Sequence, residues 1–128
     1  MTRLLSSLTL CILLGACAMP TYVGIRAADG ATIALSPGQT ASLANDGTLR
    51  YLRLVNDSRC APEVQCVWAG DAEIALNWIP ARGTARDLHL HSNGAAGSNH
   101  ADLDGRRVTF TALTRTGAQA SLLVTAVP

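Results

Sequence analysis

The chain has 128 residues, of which 48% are hydrophobic, 15% charged and 4% aromatic, with a formal net charge of +1. So even a balance gives no electrostatic footprint for nucleic acid or anionic lipid, and so few rings make a poor stacking platform for single strands. The length suits one domain with an adequate core.

Met1-Thr2-Arg3, the apolar run Leu4 to Leu14 and Gly15-Ala16-Cys17 follow the charged, hydrophobic and small-residue order of a secretory signal. The run is about a dozen residues, short of the ~20 that a membrane-spanning helix needs, so residues 1–16 are set apart from the fold. Leu14-Gly15-Ala16-Cys17 also resembles the bacterial lipobox, in which the cysteine thiol takes a diacylglycerol before cleavage. The resemblance implies a lipidated Cys17 as the mature first residue, each buried acyl methylene contributing ~0.8 kcal/mol to anchoring. The alternative is an ordinary signal with Cys17 a bystander. Ala18 stands where an aspartate would favour the inner membrane, which makes the outer membrane the expected address. With Arg3 removed, nine arginines face nine acidic residues, and the chain has no lysine.

Cys11 leaves with the signal, so Cys60 and Cys66 remain the only thiols of the folded part. In an oxidising compartment an even pair is most simply a disulfide. A redox-active pair would have two residues between its sulfurs, where this one has five.

Residues 17–21 are expected to be a brief tether and 22–128 one β domain. Apolar and polar residues alternate from there on, broken by Gly, Pro, Asn and Asp, as strands and turns do. In chain order, weak strands are expected at Tyr22–Arg26 and Thr40–Ala44, with better ones at Ala31–Leu35 and Leu49–Val55. The clearest is Ala72–Trp78, where Ala72, Ile74, Leu76 and Trp78 share a face. Arg86–His91 places Leu88 and Leu90 inward, Val108–Ala112 places Val108, Phe110 and Ala112 inward, and Gln119–Val127 completes the set. Ser36-Pro37-Gly38, Asn45-Asp46-Gly47, 80–84 and 114–117 carry turn chemistry, and His91–Asp104 is the longest stretch without strand character. No helical period appears. Seven or eight short strands predict an all-β, antiparallel two-sheet sandwich, with a small β-barrel as the alternative.

The distinctive segment is Asn56-Asp57-Ser58-Arg59-Cys60-Ala61-Pro62-Glu63-Val64-Gln65-Cys66-Val67-Trp68-Ala69-Gly70-Asp71-Ala72-Glu73. It resembles a D-S-R-C…V-x-C-x-W-A-G segment of small secreted or lipid-anchored bacterial proteins of uncharacterised function. There proline directly follows the first cysteine; here Ala61 intervenes before Pro62. The resemblance covers about 18 residues and implies a β-sandwich without supplying an activity. As structure, the segment is a stapled crossover in which Asp57 and Arg59 pair or hold backbone, Pro62 limits freedom and Trp68 covers one end of the core. As function, Asp57, Arg59, Pro62 and Trp68 form a preorganised recognition loop, since a rigid loop loses less entropy on binding.

His89 and His91 lie two apart, so a strand points both imidazoles to one side, where they can share a metal with help from His100, Asp87 or Asp102. Such pairs are more often plain polar surface, and no cofactor is expected. Ser58 beside Asp57 lacks the glycines of a nucleophile elbow. The expectation is therefore a non-enzymatic envelope lipoprotein, membrane-bound through its acyl chains. Its expected partner is another envelope protein, with periplasmic metal handling through His89 and His91 as the alternative.

Overall fold

The computed structural model describes residues 24–128. The expected signal over 1–16, the lipidated Cys17, the 17–21 tether and the domain start at residue 22 lie outside the described residues.

Alternation becomes strand wherever one face can be buried. Nine strands are described: β1 (Ile25–Ala27), β2 (Thr32–Leu35), β3 (Thr40–Leu43), β4 (Thr48–Asp57), β5 (Ala72–Ile79), β6 (Arg86–His91), β7 (His100–Leu103), β8 (Arg106–Leu113) and β9 (Ala120–Ala126). They form a five-stranded sheet in the order β1-β3-β4-β5-β6 and a four-stranded sheet in the order β2-β9-β8-β7. The two sheets stay separate, as in a sandwich and unlike a closed barrel. Every pairing is antiparallel except β1 with β3. That exception follows from the path of the chain, because β2 crosses to the second sheet between them.

Leu35, Leu49, Tyr51, Ile74, Leu76, Trp78, Leu90, Leu103, Val108, Leu122 and Val124 are fully buried between the sheets. No polar or charged residue is buried among the described residues. The phenol of Tyr51 reaches into this layer: its hydroxyl donates to the Gly117 carbonyl at 2.9 Å, and burial pushes its pKa up.

Two sequence expectations need correcting. The stretch read as lacking strand character contains β7, which pairs with β8 through a two-residue turn between Leu103 and Arg106. Asp104 and Gly105 both take positive φ, 50° and 82°, as a type I′ hairpin requires. Ala112 is exposed, because an irregularity between Phe110 and Ala112 shifts the register of β8 on β9 and turns the alternation over. A similar shift in β4, between Tyr51 and Arg53, moves the inward position from Tyr51 to Leu54, which packs partly buried against the core.

In the turn from β3 to β4 it is Asp46 that takes positive φ, at 60°. Gly47 is needed for another reason: a Cβ there would lie 1.8 Å from Cη2 of Trp78. Gly47→Ala should therefore overpack the core and lower the unfolding free energy by ~1–3 kcal/mol. A thermal melt checks this, and an unchanged Tm would mean that the indole has room to shift.

Candidate functional site

The crossover between β4 and β5 runs from Ser58 to Asp71 and contains no strand. Its neck is closed by backbone. Ser58 N–H donates to the Asp71 carbonyl at 2.7 Å, and Asp71 N–H donates to Ser58 Oγ at 3.0 Å. Ser58 Oγ also donates to the Asp71 carbonyl at 3.2 Å, so this hydroxyl serves the neck rather than an imidazole. A Cβ on Gly70 would sit 1.9 Å from the Ser58 carbonyl oxygen, so the two limbs touch main chain to main chain.

Arg59 fixes the loop's base. Its Nε and Nη2 hold the two oxygens of Asp57 at 2.8 Å and 2.6 Å, the fork geometry expected of an arginine and a carboxylate. Nη1 and Nη2 go on to donate to the carbonyls of Leu113 and Thr114, at 2.8 Å and 3.1 Å. Arg115 donates in return to the Cys60 carbonyl. The loop, which leaves the first sheet, is thereby bolted to the β8–β9 turn of the second. The guanidinium's hydrogen bond holds the Asp57 carboxyl below its ordinary pKa.

Beyond the base the Cys60–Cys66 disulfide closes the tip, with Cα atoms 5.9 Å apart. Val64 N–H donates to the Ala61 carbonyl at 3.1 Å, which makes Ala61–Val64 a turn with Pro62 at its second position, where the ring's fixed φ suits it. The expectation that Trp68 covers the core is overturned. Trp68 is 84% exposed, Val67 91% and Val64 58%; the neck places them past the last core residue of β5, and Trp78 fills the core instead. The loop therefore carries exposed apolar side chains, Val64 within the ring and Val67 and Trp68 between the ring and the neck, on a polar, pinned base.

Next to the neck lies a polar cluster that sequence reasoning missed. Asp71 Oδ2 is 2.7 Å from His91 Nδ1, while Oδ1 accepts from the Asn93 N–H at 2.9 Å and Ser92 Oγ at 3.2 Å. Burial pushes the Asp71 carboxyl up, but the hydrogen bonds from His91, Asn93 and Ser92 outweigh it and its pKa lies below the ordinary value. His89 and His91 do share the outer face of β6, yet each ring faces its own carboxylate, since His89 Nδ1 is 2.5 Å from Glu73 Oε1. His100 lies on β7 in the other sheet, Asp102 pairs with Arg107 at 2.7 Å and Asp87 accepts from Asn77 at 2.7 Å. No three His, Cys, Asp or Glu side chains are grouped to hold a metal among the described residues.

At the opposite end of β5 an open hollow of about 150 Å³ is lined by Trp78, Pro80, Arg82, Gly83, Thr84, Arg86 and Asp104. No protein-family model matches the chain, and no curated protein or solved structure matches it either.

Two measurements check the loop's construction. Cys60→Ala with Cys66→Ala should lower the unfolding free energy by about 2.4 kcal/mol, the chain-entropy value for so short a ring. A melt indifferent to reductant would contradict it. Asp57 and Asp71 are both depressed below their ordinary pKa, so their contribution is present at neutral pH and fades as pH falls through the carboxylate range. Asp71→Asn should cost about 1 kcal/mol at neutral pH and flatten the acid limb of stability against pH in urea titrations.

Proposed function

We propose that the chain is a lipid-anchored protein of the cell envelope whose sandwich is a non-enzymatic binding module, with the stapled loop as its contact surface. The observation that carries this reading is the tip itself. Val67 and Trp68 stand in water on a loop held by a disulfide, an arginine fork and a closed neck. A large apolar surface on a flexible loop would be an ordinary accident, whereas a rigid one loses little entropy on contact. Tryptophan is also among the residues that dominate binding energy at interfaces.

The anchor rests on the order of residues before Cys17 and on the lipobox resemblance. The acyl chains would hold the domain among envelope components, and the loop's contact is with one of those components. Metal handling through His89 and His91 gains no support, because each imidazole already faces a carboxylate.

Cys17→Ala should release a folded domain from the membrane fraction with its Tm unchanged, as fractionation and melting will show. Trp68→Ala should leave stability within ~0.5 kcal/mol of the parent, because the ring touches no core. A photo-crosslinker at residue 67 in intact cells should form adducts that Trp68→Ala reduces, while one at residue 82, by the distant hollow, should not. Failure of residue 67 to crosslink to anything would remove the contact surface.

A further inference from the structure

Strand directions set the side from which the chain enters the sandwich at Ile25. β1 runs parallel to β3 and β3 antiparallel to β4, so the chain reaches Ile25 from the side on which β4 ends, the side of the stapled crossover. Register gives the height. Ile25 pairs with Ala41, Ala41 with Leu49 and Leu49 with Trp78, while the crossover begins where Asp57 pairs with Ala72. The six residue steps from Trp78 back to Ala72 amount to roughly 20 Å of strand. Cys17 precedes Ile25 by eight residues, a reach of at most about 29 Å. The approach to Ile25 therefore aligns with the end of the molecule that carries the exposed indole, and Cys17 can stand level with that end without the chain reversing.

The chemistry of the tip fits a lipid interface. Trp68, Val67 and Val64 are its large apolar groups, and tryptophan favours the headgroup level, where one edge is apolar and the other wet. Glu63 is the only charged residue between Ala61 and Ala69, so no basic cluster calls for an anionic surface. The loop's main chain pairs with itself only at the Ala61–Val64 turn and the neck. Unpaired peptide groups are costly in hydrocarbon, which limits entry to side chains at the interface.

We propose that the stapled loop is a membrane seat, Trp68 and Val67 dipping into the interfacial layer of the same leaflet that holds the acyl chains of Cys17, so that the domain stands with its crossover end down. The inference rests on the anchor proposed above. The bond to lipid supplies the local concentration, so a tip too small to bind a membrane alone is sufficient to orient a tethered domain.

The test uses the full chain expressed with its export segment, purified from membranes and placed in vesicles of phosphatidylethanolamine and phosphatidylglycerol with brominated acyl chains. Mass spectrometry first reads the state of Cys17. Trp68 emission should then shift to the blue and be quenched by the bromines. Trp68→Phe should lose the quenched component and leave only the unquenched Trp78, which is buried and at the far end of β5. Acylated Cys17 with Trp68 quenched by aqueous iodide but not by bromolipid overturns the seat and leaves the anchor standing. Bare Cys17 overturns both. Protection of Trp68 that appears in native membranes but not in vesicles assigns the tip to a protein partner and equally overturns the lipid assignment.

Discussion

Burial along β5 is the constraint from which the rest of the molecule follows. Ala72, Ile74, Ala75, Leu76 and Trp78 are all withdrawn from water, so this strand fixes both the thickness of the core and its two ends. At one end the Trp78 ring presses on Gly47 and the open hollow begins. At the other end Ala72 is the last core residue, and the crossover lies past it. A segment beyond the core cannot be held by apolar packing. The chain holds it with a ring of covalent bonds, a guanidinium shared between two carbonyls and a carboxylate, and a neck of paired main chain.

That division explains why the polar bonds of this protein sit where they do. Among the described residues none that is polar or charged is buried, so the bonds that join the two sheets fall to the buried Tyr51 hydroxyl and to side chains at the rim. The Tyr51 hydroxyl on Gly117 and the Arg59 guanidinium on Leu113 and Thr114 all reach the β8–β9 end of the opposite sheet. Both tie β4 and its crossover to one turn, so the geometry of the exposed tip is set by how the two sheets lie on each other.

What could be read from the sequence was whatever one-sided burial imposes. Ile74, Leu76 and Trp78 obey a period of two because one face meets the core, and that period separated Trp78 from Trp68. Trp68 lies in no strand, so nothing in the pattern settled its side. Ala112 was misplaced because one irregular residue reverses the alternation without changing composition. β7 was missed because only Leu103 of its four residues is buried. The Asp104-Gly105 dipeptide after it was the signal available, since that pair suits a two-residue hairpin. The carbonyl partners of Arg59 and Tyr51 are 54 to 66 residues away, beyond any local pattern. The spacing of His89 and His91 gave their common side but not the carboxylates that face them, which come from β5 and its approach.

The ring closed by Cys60 and Cys66 encloses Ala61 to Gln65, all of them exposed, so a protease can reach the peptide bonds between them. A cut there, for instance after Glu63, does not divide the molecule. The N-terminal piece keeps β1 to β4 and the C-terminal piece keeps β5 to β9, joined by sulfur and by the β4–β5 pairing. Such a nicked chain would stay one covalent unit, and once reduced its two pieces would be held by strand pairing and core packing alone.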